Sequence, residues 1–201
     1  MRGFSWRAAL LGAVVAYLIL IVAGFGLLYA GVYDVGATTA HWPITERMLD
    51  LARRHSVAAH ATGIQAPSDL DNPDKIAFGL SHYADHCAVC HGAPGAPKDD
   101  LAQGMYPTPP DLAVVSQQYT APQLFWILRH GIKMTGMPSW SDHTDDDLWA
   151  IVAFLKKLPD MSEGDYAKML MSNMAHGMMH HHGGGESGEA APSANPSTSS
   201  P

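Results

Sequence analysis

Charge-free apolar positions open the chain. Ala8 to Val32, AALLGAVVAYLILIVAGFGLLYAGV, contains no charged residue and is long enough to cross a bilayer as one helix. Arg2 and Arg7 precede it, and Asp34 follows before any Lys or Arg. The positive-inside tendency then places the N-terminus in the cytoplasm and the remainder outside. The run exceeds the usual core of a cleaved signal, and LYAGVY is a poor cleavage site, so residues 1–33 are expected to be a retained anchor. The pattern then turns amphipathic. In PITERMLDLARRHSVAAHA, Ile44, Met48, Leu51 and His55 recur at helical spacing. This helix, within a juxtamembrane segment 34–70, suits either a membrane surface or the downstream domain.

From Asp71 to Asp160 the pattern predicts short helices separated by loops. Asn72-Pro73 is placed to cap and start a helix running into Cys90. The Pro- and Gly-rich stretches APGAPKDD and GMYPTPPDL follow as loops. Thr120 to Gln123 (TAPQ) is a capping box opening a helix that Gly131 ends. Thr144 to Asp147 (TDDD) is a second capping box, before DLWAIVAFLKKLP with its closing lysines and proline. No segment alternates as a strand does. The prediction is an all-α domain over 71–160, whose loops need something to pack around. A Met- and His-rich segment (161–182) and a tail of disordered composition (183–201) follow.

Composition narrows the function. The 201 residues carry a net charge of −7, which argues against nucleic acid as a partner. Within 71–160 there are eleven Asp, no Glu and six Lys plus Arg. The Met/His-rich segment places Met169, Met171, Met174, Met178 and Met179 near His176, His180, His181 and His182. Soft thioethers and imidazoles are copper ligands, so copper capture competes there with a plain helix bearing a Met stripe. His41 and His60 flank the juxtamembrane helix, as metal or quinone ligands or as ordinary surface histidines.

The only cysteines, Cys87 and Cys90, lie in CAVCHG. A thioredoxin-like redox pair wants a βαβ setting. A zinc site wants four ligands and finds no second Cys pair, although Cys2His2 remains formally open. Cys-x-x-Cys-His is also the attachment signature of c-type haem. Two thiols a helical turn apart add to the porphyrin vinyl groups, and the next imidazole, His91, ligates the iron. For the other axial position, GIKMTGMPSW supplies Met137 between Gly136 and Pro138; the glycine permits close approach and the proline stiffens the loop. Met134 and Met105 compete with it, and each of the three is otherwise a core filler. Arg129 is a candidate partner for a haem propionate. Trp126, Trp140 and Tyr106 are candidate pocket walls, with core packing as the alternative.

Residues 71–160 resemble a class I monohaem cytochrome c, nearest the bacterial type of cbb3-oxidase subunits and of stand-alone membrane-anchored cytochromes. Gly79-x-x-x-Tyr83, CAVCHG, PTPPDL, GIKMTGMPSW and DDLWAIVAFLKKLP carry the resemblance. It implies the cytochrome c fold: short helices around one covalent haem c, held by Cys87 and Cys90 and ligated by His91 and Met137. It also implies that the first and last helices of the domain cross closely, with Gly79 at the crossing and Tyr83, Ile151 and Phe154 packed around it. A carbonyl within Pro107–Pro110 would accept from the second nitrogen of His91. The function implied is single-electron transfer between redox proteins on the periplasmic side of a bacterial inner membrane. The same domain is expected alternatively as the haem subunit of a dehydrogenase or oxidase, or as a haem sensor or copper-handling protein. No catalytic base or nucleophile is proposed.

Overall fold

The chain folds as helices joined by loops. The computed structural model describes residues 5–181, with side chains through Ala175. Helix α1, Trp6–Tyr29, is apolar after Arg7 in its first turn, with a mean hydropathy of 2.6 over its most apolar window and no residue buried among the described residues. It is long and apolar enough to cross a membrane. Helix α2, Pro43–His60, starts with proline in its first turn, where the missing N–H costs nothing.

Helix α3, Pro73–His82, is capped by Asn72, whose side chain accepts from the Asp74 N–H at 2.8 Å. It continues through a π-turn, Tyr83–Cys87, into the short α4, Ala88–His91. The expected helix into Cys90 is present, with one widened turn inserted ahead of the cysteines. The two stretches expected to be loop, APGAPKDD and GMYPTPPDL, are each followed by a four-residue helix that starts at their last residue: α5 (Asp100–Gln103) and α6 (Leu112–Val115). Asp111 nucleates the second by accepting from the Ala113 N–H. Both capping boxes form: Thr120 with Gln123 opens α7, Ala121–His130, and Thr144 with Asp147 opens α8, Asp145–Lys157. Among the described residues the only β pairing is one bridge between Ala93 and Ala96.

Helix α8 is the centre of the domain. Leu148 through Leu155 are all buried, which requires neighbours on every side. Helix α3 crosses it most closely. A Cβ added to Gly79 would fall on the Ala150 carbonyl oxygen and stand 2.9 Å from Phe154 Cβ. Tyr83 and Phe154 pack with ring centroids 5.0 Å apart, and Ile151 is 1% exposed. The crossing implied by the resemblance is the one observed.

Two outer helices close the domain. Helix α9, Glu163–His181, places Tyr166 against Phe154, and Asn173 donates to the Ala77 carbonyl at 2.6 Å. Met169 and Leu170 also pack against the core, whereas Met171 and Met174 are exposed. Of the residues that set copper capture against a plain helix with a Met stripe, the side chains of His176, Met178, Met179, His180 and His181 and all of His182 lie outside the described residues. Helix α2 packs on the domain instead of standing free. Val57 and Ala61 are buried, Arg53 donates to the Tyr119 hydroxyl, and His60 packs on Trp126 at 5.4 Å. The stripe of Ile44, Met48 and Leu51 picked out by its periodicity faces outward. The face that docks carries Arg53, Val57 and Ala61, with Leu49 half-buried on the same side, and its arginine reaches the tyrosine through its charged end.

Candidate functional site

The π-turn and α4 deliver Cys87, Cys90 and His91 in one tight coil. Cys87 is buried, and the two thiols are not bonded to each other. Burial, helped by the neighbouring Cys90, pushes the Cys87 thiol up to about 12. A redox-active cysteine needs thiolate character near neutral pH, so this setting runs against a redox pair. Among the described residues no three His, Cys, Asp or Glu side chains are set to hold a metal ion, which leaves a Cys2His2 zinc site incomplete.

His91 has a defined orientation. Its Nδ1 lies 2.8 Å from the carbonyl oxygen of Pro110. A carbonyl only accepts, so Nδ1 carries the proton and Nε2 keeps its lone pair. Burial holds the His91 imidazole below its ordinary pKa, partly offset by the bond to Pro110, and so favours the neutral ring. The proline-rich loop is braced a second time where Lys98 donates to the Pro109 carbonyl. Tyr83, at the helix crossing, donates to the Gly92 carbonyl just past His91. The core crossing and the imidazole are therefore mechanically continuous.

The loop from Gly131 to Trp140 leaves the C-terminus of α7 and is closed by its own hydrogen bonds. Gly131 adopts φ +64°, and a Cβ there would stand 2.7 Å from the Met137 carbonyl oxygen, so only glycine fits. The Ile132 N–H donates to the Met137 carbonyl at 3.2 Å. Thr135 donates from Oγ1 to the Ile132 carbonyl at 2.7 Å and accepts from the Met137 N–H at 3.1 Å. Ser139 and Trp140 return to the Arg129 and Leu128 carbonyls at 2.7 and 3.0 Å. Met137 is half-buried against the core, whereas Met134 is 78% exposed. Met105 packs its sulfur against Gly136, so both half-buried methionines meet at this loop.

The remaining candidates fall around these two segments. Arg129 pairs with Asp145 at the N-terminus of α8 and lies over the Phe125 ring at 5.9 Å. Trp126 makes tilted ring contacts with both His60 and His130, at 5.4 and 4.9 Å. Tyr106 accepts from the His41 N–H at 3.0 Å, and His41 also shares a hydrogen bond with Tyr33. Trp140 belongs to a cluster that sequence reasoning missed. His82 lies 4.7 Å from both His86 and His143, ring to ring, with Trp140 in edge contact with His82 and His143. Burial, with His143 and His86 next in weight, holds His82 below its ordinary pKa. The cluster ties the helix leading into Cys87 to the chain leaving Met137. The i, i+4 spacing of His82 and His86 was visible; the third histidine, 57 positions beyond His86 in sequence, was not.

This donor set fits a covalent haem. It offers two unpaired thiols a turn apart, an imidazole fixed through its far nitrogen as metal-bound histidines require, and a thioether on a loop locked by its own bonds. No curated protein matches the chain. Residues 74–155 match the family described as cytochrome c oxidase, cbb3-type, subunit III. That family implies covalent haem c and electron transfer, and the match spans α3 through nearly all of α8, including Cys87, Cys90, His91 and Met137. Residues 74–155 are thus a cytochrome c domain of the cbb3 oxidase subunit III family.

Proposed function

We propose that this chain is a membrane-anchored monohaem carrier of single electrons, working on the periplasmic side of a bacterial inner membrane. In this reading Cys87 and Cys90 would hold one haem c by thioether bonds, and His91 and Met137 would ligate its iron. When bound, the haem supplies one-electron exchange at its iron, and His/Met ligation raises its potential. With both axial positions taken by side chains, no catalytic residue is required. Trp140 and Arg129 bracket the Met137 loop and are assigned to the pocket wall, Arg129 sharing its charge between Asp145 and a propionate. Helix α1 is retained as the anchor, with Arg7 at its cytoplasmic end. The observation that carries the proposal is the 2.8 Å bond from His91 Nδ1 to Pro110. It commits one ring nitrogen as a donor and leaves the other for iron, directly after the cysteine pair.

The test has two stages. A pyridine haemochrome spectrum of the purified protein should give the signature of haem bound through two thioethers; its absence defeats the reading. Met137→Ala should keep the covalent haem and open the sixth position, so that the reduced protein binds carbon monoxide at neutral pH where the parent does not. An unchanged spectrum moves the ligand elsewhere, with Met105 first in line.

A second reading is favoured by the family itself, whose description is that of an oxidase subunit. There the domain serves inside a larger membrane complex. Purification in mild detergent separates the two: a stable large partner favours the subunit, and a monodisperse single chain favours the shuttle.

A further inference from the structure

Helix α2 has two working faces. At about 100° per residue, Arg53 and Val57 stand on the side that docks on the domain, and Ile44, Met48 and Leu51 stand on the opposite side. None of the described residues covers this second face: Ile44 is 64% exposed, Met48 58% and Leu51 52%, and Trp42, just ahead of the helix, is 52% exposed. Arg47 and Arg54 border it. Arg54 pairs with Asp50, whereas Arg47 makes no ion pair among the described residues. An apolar stripe edged by arginine and headed by tryptophan has the character of a helix lying in a lipid headgroup layer.

The segment before α2 fixes where that stripe lies. Residues 33–42 fold back on themselves. Tyr33 hydrogen-bonds His41 at 2.7 Å, and its ring meets Trp42 at 5.1 Å. Asp34 closes the interior of the loop by accepting from the Gly36 N–H and the Thr39 hydroxyl. The head of α2 is therefore in ring contact with a residue only four positions past Tyr29, the end of α1. Four residues reach at most about 14 Å. If α1 spans the bilayer, Tyr33 lies within that reach of its surface, and Trp42 at the head of α2 lies one ring contact of 5.1 Å beyond Tyr33.

We propose that the outer face of α2 lies on the membrane and binds its anionic lipid headgroups. Trp42, Ile44, Met48 and Leu51 enter the interface and Arg47 meets the phosphates. The opposite face grips the cytochrome domain through Val57, Arg53 and His60, so α2 sets how the domain is turned toward the membrane. The proposal rests on α1 being an anchor, and its test separates the two claims.

The full-length haem-loaded protein is placed in a phosphatidylcholine–phosphatidylglycerol bilayer with a nitroxide label at Met48→Cys or Leu51→Cys, and at Val15→Cys in separate samples. Collisions with oxygen, which concentrates in lipid, are compared with collisions with a water-soluble nickel chelate. The expected result is a several-fold higher oxygen-to-nickel ratio at positions 48 and 51 than for the same label at Asp146→Cys, with position 15 higher still. A lipid-like label at 15 with water-like labels at 48 and 51 overturns the proposal and leaves the anchor standing. Shielding of 48 and 51 from both reagents, with spin–spin broadening, makes a second copy the occupant and also overturns it. A water-exposed label at 15 sinks both claims.

Discussion

A methyl group added at Gly79 would fall on the backbone oxygen of Ala150, and a backbone oxygen cannot swing aside. In an open helix the same change gains roughly 1 kcal/mol in propensity. Overpacking a core costs about 1–3 kcal/mol, so the clash should win. Gly79→Ala is expected to lower the thermal midpoint of the haem-loaded domain by several degrees, at about 4–8 °C per kcal/mol for a domain of this size. A raised or unmoved midpoint would mean that α3 and α8 do not approach as described. His91 is the second residue on which much depends. Its part was readable as the residue after Cys-x-x-Cys, but its partner was not. Four residues of a proline-rich loop were equivalent in sequence, and only the folded path of the loop selects Pro110.

At the scale of elements, α2 is held by a small contact. Val57 is 1% exposed, and Val57→Ala removes two buried methyl groups at ~0.8 kcal/mol each. The loss, about 1.5 kcal/mol, is roughly tenfold in an opening equilibrium. Amide hydrogen exchange in α2 should accelerate by about that factor, while α8 keeps its protection. Equal rates in parent and variant would mean that α2 is held elsewhere, for instance by Arg53 on Tyr119. The helices themselves were legible because their signals are local: Asn72-Pro73, the two capping boxes and Gly131 all act within one turn. The π-turn at Tyr83–Cys87 was not, because it answers to the packing of Tyr83 beneath Gly92 and not to any residue type within it.

For the whole molecule, charge governs encounters. Residues 71–160 carry eleven Asp and no Glu against six Lys plus Arg, a balance of −5. Such a surface favours cationic partners. The reduced protein should pass electrons to hexaammineruthenium faster, relative to driving force, than to ferricyanide. The gap should narrow as added salt shortens the screening length from about 30 Å at 0.01 M to about 8 Å at 0.15 M. A ratio independent of salt would show that the exchange edge does not feel this charge. A membrane-bound partner would need little such steering, because tethering raises the local concentration.

The sequence alone determined what depends on neighbours in the chain. The apolar run of α1, the caps, the thiol spacing with its histidine, and the Gly-Met-Pro frame around Met137 all lie within a few residues of one another. Short-range sterics and hydrogen bonding decide such features. The tertiary structure decided what depends on distant segments meeting. It selected Pro110 for His91, set Arg129 against Asp145, gathered His82, His86, His143 and Trp140, and added α9 to the core through Tyr166. It also chose between the two settings open to α2: the Arg53–Tyr119 bond and the burial of Val57 and Ala61 put that face on the domain and leave the apolar stripe of Ile44, Met48 and Leu51 outward.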